Sequence, residues 1–402
     1  MKHNILKRII TKIYVLTYIK WRNERYINDE KNSHYGATEL CHITHQLTGN
    51  TGDTVLSYCV RRTLGKEGDY SWKIFGVRDE VTEKEITSYN RTNGIIIGGG
   101  GLFLPDSNEN SISGWQWPCS RELLNSISVP IILYSVGYNY FRGQYPTKLF
   151  IDNLNAIVEK ADFVGLRNTG SIEMVKKLLK PELREKVVFQ PCTTTIIRKV
   201  VSNLPEKKHT NKVAINVAYD RIEKRLGNNY SYVLTEIAKT IKIIEDKGYE
   251  IFCVAHCSCD LEFSVYLDAQ NVRYKAVNGE FWLPNKWFEF YNDMEVVLGM
   301  RGHAQMIPFG VNTKIISLGS HDKMRWFLED IDAVDWYIEL NENPETLQKR
   351  IIDIFIEIQE NNSNYTEMRL LEKQENLYRI TMDNANKIKN IINNRKMEEK
   401  NV

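Results

Sequence analysis

Short β-branched runs alternate with helical stretches along most of this chain, and they do so twice, on either side of one polar segment. In the first set "ELCHITH" (39–45), "WKIFGV" (72–77), "GIIIGG" (94–99), "PIILYSVG" (130–137) and "DFVGLR" (162–167) read as strands, with helices over 53–64, 148–160 and 170–179. The segment "SNLPEKKHTN" (202–211) reads as a linker. The second set has strands in "KVAINVA" (212–218), "YEIFCVAH" (249–256), "VRYKAV" (272–277), "MEVVLGM" (294–300) and "TKIISLG" (313–319), with a helix over 230–248. Alternation of this kind dictates parallel sheets wrapped by helices. Two sets predict an α/β chain of two Rossmann-like parallel-sheet domains facing each other across a cleft, over residues 32–203 and 204–343. A basic amphipathic helix over 1–31 and charged helices over 344–402 are expected as additions, the latter bracing the two halves.

Ligands of parallel sheets bind outside the carboxyl ends of the strands. That rule puts Gly98–Gly101, Arg167, His256, Arg301, His303 and the stretch Ser320–Lys323 at the cleft. In "GIIIGGGG" (94–101) a buried strand is expected to end in four glycines. Either the bare backbone admits a close anion, or the run is a tight turn. It is neither a dinucleotide fingerprint nor a Walker loop, because no Lys-Ser/Thr follows.

Composition excludes several classes. A net charge of +2 argues against a nucleic-acid binder, which needs a concentrated basic face. Seven cysteines without framework spacing, several inside apolar runs, suit reduced thiols and a cytoplasmic protein. No secretory signal and no membrane-length apolar run is visible. From Met1 to Lys31 eight Lys/Arg stand against three Asp/Glu, among apolar residues at helical spacing. Such a helix either lies on the anionic inner leaflet at the cytoplasmic face or packs on the protein.

Five stretches fall at strand ends or helix starts: "NTGD" (50–53), "IIIGGGGLF" (95–103), "VGLRNTGS" (164–171), "GMRGHAQMIPFGV" (299–311) and "KIISLGSHDKMRWFLED" (314–330). In this order they resemble the polysaccharide pyruvyl transferase family over roughly 40–330. The family pattern has Asn-x-Gly-Asp near the start, an Ile-rich strand into a Gly-rich turn, and an Arg followed by a Ser. Arg-x-His comes later, then a strand ending near Asp-Lys. Two departures stand out: Arg301-Gly302-His303 replaces the commoner Arg-Leu-His, and Pro191-Cys192 stands where the family often has Pro-Asp. The resemblance implies a GT-B-like architecture. It also implies transfer of a pyruvyl group from phosphoenolpyruvate to two hydroxyls of one sugar, as a cyclic ketal in cell-surface polysaccharide biosynthesis. No cofactor and no metal are implied. The partners are phosphoenolpyruvate and a saccharide acceptor, free or lipid-linked.

That chemistry asks for particular side chains. A phosphate and a carboxylate on one small donor need fixed cations, and arginine meets an oxyanion pair bidentately. Arg167, Arg301 and Lys323 are the candidates, each with a surface salt bridge as its alternative. Protonating the enol ether needs a general acid near neutrality, the range of histidine. His303 is the choice, against a helix cap or core histidine. Asp53 is the candidate base for the hydroxyls, against service as a helix N-cap. Asn50, Gly99, Gly100, Gly101, His256 and Ser320 complete the expected substrate contacts.

"CVAHCSCD" (253–260) and "CHITH" (41–45) lack paired knuckle spacing, so His256 and Asp260 are expected to face the cleft rather than a metal. "SGWQWP" (113–118) and "FWLPNKWFEF" (281–290) either stack on sugar rings or anchor the core. The competing functions are a nucleotide-sugar-dependent glycosyltransferase of the same architecture and a non-catalytic glycan-binding protein.

Overall fold

The computed structural model describes residues 38–45, 50–65, 69–105, 108–361 and 363–400; the expected helix over 1–31 lies outside them. Twelve strands form two six-stranded sheets, and every strand pair in both is parallel.

The first sheet holds β1 (Thr38–Thr44), β2 (Tyr70–Gly76), β3 (Ile95–Phe103), β4 (Ile131–Tyr138), β5 (Phe163–Leu166) and β6 (Val187–Phe189), in the order β2-β1-β3-β4-β5-β6. The second holds β7 (Lys212–Asn216), β8 (Glu250–Ala255), β9 (Tyr274–Asn278), β10 (Val296–Gly299), β11 (Lys314–Gly319) and β12 (Tyr337–Glu339), in the order β12-β11-β10-β7-β8-β9. Strand order reverses between β1 and β3 in one sheet and between β7 and β10 in the other. Crevices open at such reversals. Central strands are apolar on both faces because helices cover both; all eight residues of β4 are buried.

The principal helices are α1 (Thr51–Leu64), α2 (Glu83–Tyr89), α3 (Lys148–Lys160), α4 (Thr169–Leu178), α5 (Tyr230–Asp246), α6 (Pro284–Asn292), α7 (His303–Gly310), α8 (Asp322–Asp330), α9 (Leu347–Ile356) and α10 (Ser363–Lys400). Their starts follow from sequence. Asn50 caps α1 by accepting from the Gly52 amide, Asn168 caps α4 from Ser171, and Thr82 with Glu85 closes a capping box on α2. The cap of α1 is therefore Asn50, and Asp53 sits in the first turn instead.

The glycine run behaves differently from expectation. β3 does not end there but continues through all four glycines to Phe103. Gly99 (φ +76) and Gly100 (φ +134) adopt backbone that side chains rarely take, and the pairing with β4 shifts register beyond Gly100. A Cβ on Gly99 would lie 3.1 Å from Leu56 and Val60 of α1. Gly99 thus seats a helix against the sheet.

The C-terminal helix joins the halves. In α10, Gln374 donates to the Phe309 carbonyl at 3.0 Å in the second half, and Asn384 donates to the Phe189 carbonyl at 2.9 Å in the first. Leu370, Leu377, Ile388 and Ile392 of the same helix are buried. The aromatic clusters are core: Trp115, Trp117, Trp287 and Phe288 are at most 2% exposed, so the sugar-stacking alternative fails for them.

Candidate functional site

At the two reversal points the strand ends face one another across a cavity of about 220 Å³. The first half contributes His45 after β1, Asn50 and Asp53 from the start of α1, Arg78 after β2, Gly101 within β3, Asn139 and Phe141 after β4, and Arg167 after β5. The second contributes Asp220, Arg221 and Arg225 after β7, His256 after β8, Arg301 and His303 after β10, and Lys323 at the start of α8. Six Arg and Lys side chains line the space against two Asp.

The cations are not equivalent. Arg301 is locked. Its Nε donates to Asp260 Oδ2 at 2.7 Å and its Nη2 to Oδ1 at 2.6 Å, while Nη2 also meets Asp220. Asp260 is fully buried and further accepts from the His256 amide at 3.1 Å and the Asn216 amide side chain at 3.1 Å. Against the desolvation of burial, Asp260 holds the Arg301 guanidinium above its ordinary value. The register Gly299↔Asn216 sets this up, because Asn216 Oδ1 then accepts from the Arg301 amide at 3.2 Å. Arg225 is likewise committed, at 3.1 Å from the Asp220 carboxylate.

Arg167 is the opposite case. It is 6% exposed, its Nε has no partner, and no carboxylate pairs with it among the described residues. Burial lowers its pKa. It lies across Gly137, where a Cβ would come within 2.3 Å of Nε. Lys323 from the other half also has no ion pair among the described residues. Burial first, then Arg167 and Arg225, drives its ammonium well below the ordinary lysine range. Two desolvated basic groups in one space are held charged only at a free-energy cost, which an anion between them offsets.

His303 is half-buried at the start of α7. Burial, and then the charge of Arg167, push its imidazole down to about 3, with Asp53 opposing and Lys323 adding. That value lies below the near-neutral range expected of a general acid and leaves the ring neutral at pH 7. His256 is buried too, with Nε2 at 2.6 Å from the Tyr291 hydroxyl and its carbonyl accepting from the Thr51 amide at 3.2 Å. Burial holds it well below the usual range.

Of the glycines expected to touch substrate, only Gly101 lines the cavity; Gly99 faces α1 and Gly100 faces His45. Ser320 follows β11 and is buried with its hydroxyl unpartnered, but it does not line the cavity. Sequence reasoning missed His45, Arg78, Asn139, Asp220 and Arg225. All follow strand ends, so the rule that located Arg167 would have located them as well. His45 is 8% exposed, and neither its Nδ1 nor Asn139 Oδ1 has a hydrogen-bond partner among the described residues.

The family model described as polysaccharide pyruvyl transferase matches residues 50–322. No curated protein matches the chain in sequence. Among solved structures, the chain is similar to a putative UDP-N-acetylglucosamine 2-epimerase from Listeria monocytogenes, with TM-score 0.53 and 9% identity, over 83% of this chain and 91% of that one. It is also similar to a glycosyltransferase from Rickettsia africae, with TM-score 0.53 and 10% identity, over 89% of this chain and 99% of that one. At such identities the likeness is one of fold: two Rossmann-like domains in a GT-B-like arrangement. No helix among the described residues is long and apolar enough to cross a membrane.

Proposed function

The chain belongs to the polysaccharide pyruvyl transferase family, and from that premise we propose that it moves the pyruvyl group of phosphoenolpyruvate onto two hydroxyls of one sugar. The observation that carries the reading is Arg167 and Lys323, two desolvated basic side chains with no ion-pair partner among the described residues, reaching one cavity from opposite halves. A small donor with a phosphate and a carboxylate satisfies both at once, each charge-assisted hydrogen bond contributing about 1.5–3 kcal/mol.

His303, once protonated, then delivers its proton to the methylene carbon of the enol phosphate. The first sugar hydroxyl adds to the cationic carbon and gives its proton to Asp53. Phosphate leaves, the second hydroxyl closes the ketal, and its proton departs with the phosphate. His45 and Asn139, whose unpartnered polar atoms lie on the first-half wall with Asp53, are the acceptor's hydrogen-bonding groups. Arg301 shapes the wall through Asp260 rather than meeting the donor as a free charge. His256 and Asn50 hold the entrance of α1. No cofactor is needed, because the donor carries its own leaving group.

A nucleotide-sugar donor is the second reading, favoured by the fold of the neighbours. Against it, a cavity of about 220 Å³ falls below the roughly 300–1,000 Å³ typical of drug-sized ligands. Incubation with phosphoenolpyruvate and a panel of glycans distinguishes the two. Phosphate release coupled to a new ketal methyl resonance is the expected result. Release of a nucleoside diphosphate from a nucleotide sugar, with no phosphate from phosphoenolpyruvate, would overturn it. A lipid-linked acceptor would give the basic segment 1–31 a purpose at an anionic leaflet. Loss of co-sedimentation with anionic vesicles on deleting 1–31 is the corresponding test.

A further inference from the structure

Cys192 is a buried thiol with no role in the reaction as described, yet its Sγ lies 3.7 Å from Nε2 of His303. The sulfur is itself held in place. It sits 3.2 Å from Thr194 Oγ1, and the Cys192 carbonyl accepts from the Thr195 amide at 2.9 Å and the Thr195 hydroxyl at 2.7 Å. The turn Thr193–Ile196 that makes these bonds is fully buried. On the other side of the ring stands Gly52, where a Cβ would come within 2.3 Å of Nδ1. The imidazole is thus clamped between the start of α1 and a rigid turn from the end of the first sheet.

A neutral imidazole carries one proton, and the partner of one nitrogen decides which nitrogen holds it. Among the described residues Nδ1 has no hydrogen-bond partner, so the sulfur is the group that decides. Burial raises the Cys192 thiol above its ordinary value, so it is a thiol here and a poor nucleophile. A thiol is both weak donor and weak acceptor, and Thr194 offers it an oxygen for its own proton.

We propose that Cys192 is the positioning residue of His303: with its S–H turned to Thr194, its sulfur accepts the Nε2–H and leaves Nδ1 as the nitrogen that takes up and delivers the proton. The part of this that concerns proton delivery rests on the pyruvyl-transfer reading; the tautomer does not. In the transfer, the Nδ1–H bond breaks, a C–H bond forms at the methylene carbon from the enol phosphate's π pair, and the ring returns to the neutral Nε2–H form. The charged and titratable groups bearing on the ring are Asp53 from α1, Arg167 from the end of β5, Lys323 from α8 and His256 after β8. None of them contacts Nε2, so the sulfur's effect on the tautomer is separable from theirs.

The test uses the full chain labelled with ¹⁵N-histidine and no ligand, and reads the tautomer of His303 from long-range ¹H–¹⁵N correlations at pH 7. Wild type and Cys192→Ser, which keeps an acceptor, are expected to show Nε2–H. Cys192→Ala is expected to show mixed tautomers and, where turnover is assayed, a kcat lower by about ten- to hundredfold with KM for phosphoenolpyruvate unchanged, the scale seen when a group that orients a histidine is removed. Wild type in the Nδ1–H form, or an alanine variant with an unchanged tautomer, overturns the proposal. The wild-type spectrum alone decides the assignment should the alanine variant fold poorly. A fixed Nε2–H tautomer with no turnover on any glycan would refute the pyruvyl-transfer reading and leave the positioning role standing.

Discussion

At the scale of single residues, two arginines at one cavity make opposite predictions. Arg167 is desolvated and has no carboxylate partner among the described residues, so the fold holds it at a cost. Arg167→Met is expected to raise Tm and to weaken phosphoenolpyruvate binding, with Arg167→Lys recovering part of the affinity because a point charge lacks the fork. Arg301→Met instead strands the buried Asp260 carboxylate and is expected to cost about 3–5 kcal/mol of stability. Thermal melts with and without the donor separate them; a lowered Tm in Arg167→Met would move the anion site elsewhere. His303 adds a linkage argument. Its pKa of about 3 means that at pH 7 the ring is neutral and lacks the second proton that an acid would deliver. An anion beside Arg167 and Lys323 neutralises the charges that depress it, so donor binding takes up a proton. The expected signature is a binding enthalpy that depends on buffer ionisation, together with His303→Ala losing about 10²–10⁴-fold in rate while donor affinity persists. Equal enthalpies in phosphate-free buffers of different ionisation heat would remove His303 as the acid.

At the scale of elements, the sequence made the sheets legible because both faces of each central strand are buried. Unbroken apolar runs rich in β-branched residues, such as Ile95–Ile97 and Ile131–Leu133, read as strands in a chain with regular helices between them. The three-residue strands β6 and β12 were not legible, since neither is long enough to show a period. The glycine run misled for a different reason: composition announces freedom of the backbone but not what exploits it, and here it is α1. The pairing state of Arg301 was equally hidden, because Asp260 is 41 residues away in sequence and only the Gly299↔Asn216 register brings it near. The contact between α4 and α8 carries the element-scale prediction. Asp330 of α8 accepts from the Thr169 amide at 3.0 Å and hydroxyl at 2.6 Å, and Trp326 covers Gly170 so closely that a Cβ would lie 2.2 Å from the ring. Arg167 precedes α4 and Lys323 opens α8, so this contact sets their separation. Gly170→Ala is expected to raise KM for the donor, and Trp326→Ala in the same chain to restore part of the loss. An unchanged KM in Gly170→Ala would mean the two helices do not govern the cation pair.

At the scale of the whole molecule, the histidines couple stability to pH. Five of them, His42, His45, His256, His303 and His321, have pKa values lowered chiefly by burial, to about 3 for His42 and His303. In the unfolded chain each returns to about 6.5. Between those values the unfolded state binds more protons, so stability rises with pH through the window and is lost as pH falls below about 6.5, by up to about 1.4 kcal/mol per pH unit per histidine. Asp330 opposes this. Burial pushes its carboxyl to about 7, so the folded state binds its proton and that contribution is lost as pH rises from about 4 to 7. The half-buried Glu280 carboxyl is raised as well, and five rings against two carboxyls decide the sign. Urea melts are expected to show a steep loss of stability from pH 7 to pH 5, and stability that stays flat over that range would contradict the burial of these rings. The donor should alter the slope in a specific way. By pairing with Arg167 and Lys323, which depress both His303 and His321, bound phosphoenolpyruvate is expected to lift the pKa of these two rings among the five, so it stabilises the fold more at pH 5.5 than at pH 7.5. In His303→Gln the donor still binds the cation pair, but the His303 share of that extra stabilisation at low pH vanishes. A donor effect with the same pH dependence in wild type and His303→Gln would show that the proton is taken up somewhere other than the ring at the start of α7.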